Sequence, residues 1–252
     1  MKTPLIFKAF FGLSLYLAAI ISPAQADGEL VVDLSKPIVA ITTGFTGADI
    51  LLFGVTDGKG DVVVVVRGPQ RDTVVRRKYQ VAGIWVNKDS ITFKQVPGFY
   101  GLASNRPIAQ FAPLAIRKEN QIGPGFIQML PVDTSFSPKQ IGLFKDALIR
   151  NKQNQGLYSL DPNKLTFLGN ELFRTTLKFP ANVTIGTYGI EVYQFRNKKL
   201  INKRTTLLEV RKIGFEAGVY NFAHRHSLAY GVLAILIAGM AGWLANAVFR
   251  RV

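Results

Sequence analysis

Hydrophobic positions follow three different rhythms along this chain, and each predicts a different kind of element. Between Glu29 and about Arg106, short apolar runs alternate with Gly, Pro, Asn and Asp, the spacing of strands and turns. The runs are Leu30–Leu34, Ile38–Thr43, Asp49–Val55, Asp61–Arg67, Thr73–Val81, Ile84–Val86, Ser90–Phe93 and Tyr100–Ala103. Ile50–Phe53 and Val62–Val66 are apolar at every position, so both faces of those two strands should be covered. Asp57-Gly58-Lys59-Gly60 between them reads as a turn, which makes the pair the expected core hairpin. A second strand block runs from about Leu165 to Arg211. In it Phe173–Phe179 alternates apolar and polar positions until Pro180 ends the run. Tyr188–Phe195 and Leu200–Val210 predict a hairpin across Arg196–Lys199, a turn whose charge should protect an exposed edge.

The second rhythm has a helical period. Ser137 is the expected N-cap, Pro138 suits the first helical position and Gln140 completes a capping box, after which Ile141, Phe144 and Leu148 share a face. Lys145, Arg150 and Lys152 favour the negative end of this helix, and Gly156 can close it. Ahead of it, Pro107, Pro113, Pro124 and Pro131 interrupt the chain and predict an inter-domain connection.

The third rhythm is an absence of charged positions, with Asn246 alone breaking the apolar surface. Leu228–Phe249 holds 22 residues without Asp, Glu, Lys or Arg. As a helix it spans roughly 33 Å, enough to cross a bilayer core of about 30 Å. Arg250 and Arg251 follow it, in keeping with the positive-inside tendency. The apolar run Ala9–Ile21 is too short to span; behind Lys2 and Lys8 and before Ala24-Gln25-Ala26 it reads as a signal peptide cleaved before Asp27. Retention of that run as a second anchor is the alternative. Phe215, Val219, Phe222 and His226 fall on one helical face, which predicts either a short helix at the membrane surface or a simple continuation of the span.

These patterns predict a mainly β fold of two antiparallel immunoglobulin-like sandwich modules, a connecting helix and one C-terminal transmembrane helix. The expected division is a signal peptide at 1–26, a first module at 27–106, linker and helix at 107–156, and a second module at 157–213. A juxtamembrane segment at 214–227, the span at 228–249 and a cytoplasmic tail at 250–252 complete it. Gly186-Thr187-Tyr188 suggests the tyrosine corner of such sandwiches, and Pro97-Gly98-Phe99-Tyr100 offers a weaker version.

Charge narrows the choice of partners. The chain carries 31 basic and 16 acidic residues, a net charge of +15 that becomes +13 once Lys2 and Lys8 are removed. Such a surface attracts anionic lipid, acidic polymers or an acidic protein, and export separates it from nucleic acid. The sequence contains no cysteine, which excludes disulfides, thiolate nucleophiles and cysteine metal sites.

Few residues invite chemistry. His224 and His226 would share a face only on a strand, and their segment reads as helix, so no metal site is expected. Gly44–Asp49 lacks the spacing of a phosphate loop and reads as a turn carrying an exposed Phe45. No GxSxG or SxxK motif is present, and neither histidine lies near an elbow-like serine, so neither an enzyme nor a cofactor is expected. Two basic clusters could hold an anion: Arg67, Arg71, Arg76, Arg77 and Lys78, and Arg196, Lys198, Lys199, Lys203 and Arg204. Within the span, Ala234, Ala238, Gly242 and Ala245 align as a small-residue stripe that permits close approach of another helix.

The runs AITTGFTG (40–47), DVVVVVRGP (61–69), VAGIWVN (81–87) and FRTTL (173–177), with the C-terminal span, resemble an alphaproteobacterial family described as putative transmembrane proteins. The family carries no established activity, so no functional residue transfers. Its members tend to be encoded beside sulfite-exporter-like permeases of the TauE/SafE type, which implies a permease as a partner. The expected protein is thus a single-pass accessory or binding subunit of an envelope complex in the bacterial inner membrane, with its ectodomain in the periplasm. The alternative is a stand-alone basic ectodomain that captures a small anion or acidic polymer.

Overall fold

The computed structural model describes residues 30–132, 135–159, 161–213 and 215–249. The signal-peptide reading at 1–26 and the tail at 250–252 lie outside the described residues. The protein is mainly β, and its strand pairs are antiparallel apart from the parallel pairs made by Ile38–Ile41 and Asn163–Lys164 and a parallel bridge between Tyr100 and Tyr158. Its centre is β4 (Asp61–Arg67), whose valines Val62–Val66 are all fully buried. A strand apolar on both faces needs a layer on each side, and the rest of the chain supplies them.

β4 sits inside a six-stranded sheet. On one side it pairs with β12 (Gly186–Arg196) and on the other with β7 (Tyr100–Ser104). β13 (Lys199–Lys212), β2 (Ile38–Ile41) and β9 (Asn163–Lys164) complete the sheet in the order β2-β13-β12-β4-β7-β9. Facing it is a four-stranded sheet ordered β1-β3-β11-β10, built from Val31–Leu34, Gly47–Val55, Leu172–Pro180 and Thr166–Leu168. The inner face of β11 presents Phe173, Thr175, Leu177 and Phe179, all buried, as its alternating sequence requires. Phe99 stacks on Phe179 at 5.1 Å between ring centroids, and Phe179 meets Tyr188 edge-on at 5.6 Å.

Both strand blocks form, but each of the two facing sheets draws on both of them. β3 of the first block pairs with β11 of the second over nine positions, and β4 pairs with β12 over seven. The boundaries at 106 and 157 therefore separate stretches of chain and not separate sheets. The expected β3–β4 hairpin is absent for the same reason: the two strands lie in opposite sheets, and residues 56–60 arch between them. Thr56 N–H donates to Glu171 O on one side, while Asp57 pairs with Arg196 on the other. Gly60, at φ 99°, passes so close to β12 that a Cβ there would lie 2.1 Å from Phe195 O. Only one face of the Ile50–Phe53 run is covered, since Ile50 and Leu52 are buried while Leu51 and Phe53 reach the surface.

The segment expected to link two domains covers the outer face of the six-stranded sheet instead. It folds as α1 (Ile108–Phe111), α2 (Leu114–Glu119), a 3-10 turn at Pro124–Phe126 and β8 (Leu130–Pro131). Its apolar residues Phe111, Ile122 and Ile127 are buried, with Phe111 against Phe195 at 5.6 Å. Tyr100 O–H donates to Gln121 O at 2.7 Å and accepts from Gly123 N–H at 2.7 Å, and burial pushes its pKa up to about 12. Tyr100 thus ties this cover to β7 and makes no local corner. Tyr188 does make one, donating to Thr184 O four residues upstream at 2.6 Å.

Two elements stand off the sandwich. β5 (Gln70–Val81) and β6 (Ile84–Pro97) form a long ribbon, joined at its base by β8. Beside it lies α3 (Pro138–Asn154), which begins with the expected capping box: Ser137 Oγ accepts from Gln140 N–H while Gln140 Oε1 accepts from Ser137 N–H. Phe144, Leu148 and Ile149 are its buried positions. At the C-terminus α4 (Phe215–Arg225) leads into α5 (Ser227–Phe249), and backbone hydrogen bonds Phe222 O to His226 N and His226 O to Tyr230 N carry across the junction.

At the start of β4, Arg106 Nε and Nη2 donate to the Asp61 carboxylate at 2.5 and 2.6 Å, and Asn105 Nδ2 adds a third bond at 3.0 Å. Burial raises the Asp61 pKa, but the bonds from Arg106 and Asn105 outweigh it and hold the carboxyl below its ordinary value. A depressed carboxyl stabilises the fold above its unfolded pKa and loses that contribution as pH falls. Asp61→Asn is expected to lower the melting temperature at neutral pH by roughly 2 °C. The gap to the unaltered protein should close as pH drops below 3.8. Circular dichroism melts in mild detergent measure this, and a gap that stayed constant would mean the carboxylate charge is not its source.

Candidate functional site

The first basic cluster lies mostly on β5, where a period of two separates its members. Val75 is buried and Arg77 half-buried on the side of α3, whereas Arg76 is exposed. The Arg77 guanidinium stands 5.0 Å from the ring centroid of Phe144 in α3. It donates to Tyr79 Oη at 2.8 Å, which raises its pKa, and Tyr79 O–H in turn donates to Asp89 at 3.1 Å. Arg77 is thereby fixed between ribbon and helix.

The space between β5 and α3 is a cleft of about 570 Å³, lined by Arg76, Arg77 and Lys78 on one wall and Phe144, Asp146 and Arg150 on the other. Four cations and one carboxylate line it. No ion pair among the described residues involves Arg76, Lys78 or Arg150. Such a cleft can take an anion by charge and hydrogen bonds, with Arg77 oriented in advance by its aromatic neighbours. Arg71 belongs elsewhere: five residues along a strand place it roughly 16 Å from Arg76. At the ribbon root it lies near Lys152, whose pKa is lowered by burial first and by Arg71 second. Burial also lowers the pKa of Lys145, against the pull of Asp146. Sequence reading missed Arg150 as part of this site because it assigned that residue only to the helix end; its position four residues after Asp146 and seven after Leu143, on one helical face, was the available signal.

Arg67 and the second cluster are largely occupied within the fold. Arg67 pairs with Glu191 and donates to Asn120 O at 2.6 Å, joining β4, β12 and the covering segment. Glu191 also takes Lys203 Nζ at 3.0 Å and Tyr193 O–H at 2.8 Å. Arg196 pairs with Asp57 across the arch, and Arg204 Nε donates to Leu30 O at 3.0 Å. Lys198 occupies the two-residue turn Asn197-Lys198, tighter than the four residues expected, and Lys199 opens β13.

The remaining candidates are quickly placed. His224 stacks on Tyr220 at 4.0 Å, and its Nδ1 lies 2.9 Å from Tyr220 O, while His226 meets Phe222 at 5.7 Å. Each ring thus packs on the aromatic one turn earlier. Phe45 is half-buried against the core and not exposed, because its turn folds back to begin β3. Ala234, Ala238, Gly242 and Ala245 all lie exposed along α5. Among the described residues α5 is the one helix long and apolar enough to cross a membrane, over Ser227–Asn246, and none of that window is buried within the chain.

The family model described as "Putative transmembrane protein (Alph_Pro_TM)" matches residues 29–251. No curated protein matches the chain.

The two neighbouring arginines of the cleft should behave differently. Arg77→Ala is expected to lower the melting temperature by roughly 3 °C through loss of the Phe144 and Tyr79 contacts. Arg76→Ala should leave it within about a degree, as surface changes usually do. Differential scanning fluorimetry of both variants decides, and equal effects would refute the distinction between the two faces.

Proposed function

This chain belongs to the putative transmembrane protein family, and on that premise we propose that it is a single-span accessory subunit of an envelope complex in the bacterial inner membrane. The observation that carries the reading is α5, an apolar helix exposed along its length, with Ala234, Ala238, Gly242 and Ala245 on one face. Small residues allow the backbone of a second helix to approach closely, and a multi-span permease offers such helices. The β-rich body is the exported ectodomain, held in the periplasm with the C-terminus in the cytoplasm. Its four-stranded sheet adds a second surface for a protein partner: Val31, Val55, Leu172 and Leu168 lie side by side in register and are all exposed. The subunit carries out no catalysis and works through binding.

A second reading draws on the cleft between β5 and α3. Four cations around a pocket of about 570 Å³ suit capture of a small anion or an acidic polymer. In that reading the ectodomain acts alone and the span is only a tether.

One pull-down separates the two. C-terminally tagged protein, extracted from native membranes in mild detergent, is expected to bring a polytopic membrane protein with it at near-equal stoichiometry, and Gly242→Ile should reduce that recovery several-fold. Recovery of the protein alone would overturn the subunit reading. The cleft is then tested by melting shifts with sulfite, thiosulfate, phosphate or acidic glycans, which should vanish on combining Arg76→Glu with Arg77→Glu.

A further inference from the structure

The tip of the β5–β6 ribbon gathers apolar residues that this chain does not cover. Val81 and Ile84 flank the two-residue turn Ala82-Gly83, with φ values of 50° and 86°, and Trp85 and Val86 follow. Ile84 is 68 % and Trp85 64 % exposed, and every residue from Val81 to Lys88 is open. A hairpin turn in water is ordinarily polar, so Ile and Trp here point to a contact outside the chain. Behind the tip stand Lys78 and Lys88, with Lys88 Nζ 5.3 Å from the Tyr79 ring centroid, and Arg76 lies further down the ribbon. The nearby carboxylate Asp89 already accepts a hydrogen bond from Tyr79. Tryptophan and aliphatics ahead of a collar of cations match a membrane interface, where rings sit at headgroup depth and cations meet lipid phosphates.

Topology puts this ribbon at the end of the sandwich from which the anchor leaves. Arg67, the last residue of β4, pairs with Gly189 and Tyr100, while Gly186 pairs with Val210 near the end of β13. The ribbon therefore starts through Gly68-Pro69 beside β12, whose other neighbour, β13, hands the chain to α4 and α5 at the same end. Pro69 packs on Gly186 at the start of β12, where a Cβ would lie 2.7 Å from it, one strand away from β13. The 12 residues of β5 reach roughly 40 Å, against roughly 16 Å for the 11 residues of α4. Length and position both suit contact with the bilayer that receives α5.

We infer that the β5–β6 tip is a second membrane contact, with Val81, Ile84, Trp85 and Val86 entering the interface of an anionic bilayer and Lys78 and Lys88 on its phosphates. The inference rests on α5 spanning that bilayer and is independent of any permease partner. It turns the anchor from a single tether into two attachments, which fixes the orientation of the ectodomain and holds the basic cleft close to the lipid surface.

The test uses the two tryptophans of the full chain, Trp85 and Trp243. Protein carrying Trp243→Phe reports from Trp85 alone, and protein carrying Trp85→Phe reports from Trp243. Both are reconstituted into vesicles of phosphatidylglycerol with brominated-chain phosphatidylcholine. Bromine is expected to remove roughly half of the Trp85 emission relative to unbrominated vesicles, while aqueous iodide quenches it far less than free tryptophan. Adding Ile84→Asp should return Trp85 to iodide. Quenching of Trp85 by iodide alone would overturn the inference, as would shielding from both quenchers, which would mean a protein covers the tip. Trp243 separates the levels: if bromine quenches Trp243 but not Trp85, the tip contact alone fails, and if it quenches neither, the anchoring itself fails.

Discussion

Everything in this fold follows from the need to cover five consecutive valines. A strand with no polar face cannot sit at a surface, so Val62–Val66 demand a strand on each edge and a layer over each face. β12 and β7 supply the edges, the four-stranded sheet supplies one face, and the segment from Ile108 to Pro131 supplies the other. These partners come from distant parts of the sequence, and this is why the two strand blocks interleave in place of folding side by side. The cost of closing such long loops is one that only a large buried apolar surface offsets.

Charge is arranged around that core in two ways. At the ends of β4 and β12, cations are matched: Arg67 and Lys203 to Glu191, Arg106 to Asp61, Arg196 to Asp57. Those pairs bind the arch, the covering segment and the sheet to one another. On the ribbon and α3, four cations and one carboxylate line an open cleft. Arg77 belongs to both groups, since Phe144 and Tyr79 fix it while its charge still faces the cleft.

The molecule has a polarity as a result. The arch at residues 56–60 and the turn at Asn197-Lys198 mark one end of the sandwich, and the ribbon root, the end of β13 and α4 mark the other. The basic cleft, the apolar ribbon tip and α5 all extend from the second end. The ribbon and the candidate span thus leave the sandwich from the same end.

What the sequence determined by itself is whatever depends on near neighbours: the α3 capping box, the alternation of β11, the tyrosine corner at Tyr188, the β12–β13 hairpin and the length of α5. Each rests on residues within a few positions of one another, where propensity and periodicity act directly. Tertiary structure alone decided the rest. Asp57–Gly60 has the same turn chemistry whether it makes a hairpin or an arch, and only the distant Glu171 and Arg196 select the arch. The proline-spaced stretch after Pro107 reads as a linker until the outer face of β4 requires a cover. Of the basic residues singled out on β5, three reach the cleft and Arg71 does not, while Arg150 joins them from a helix more than seventy residues away. Contacts of that range leave no periodic trace in the chain, because they are set by which surfaces must be buried and not by the order of residues along either partner.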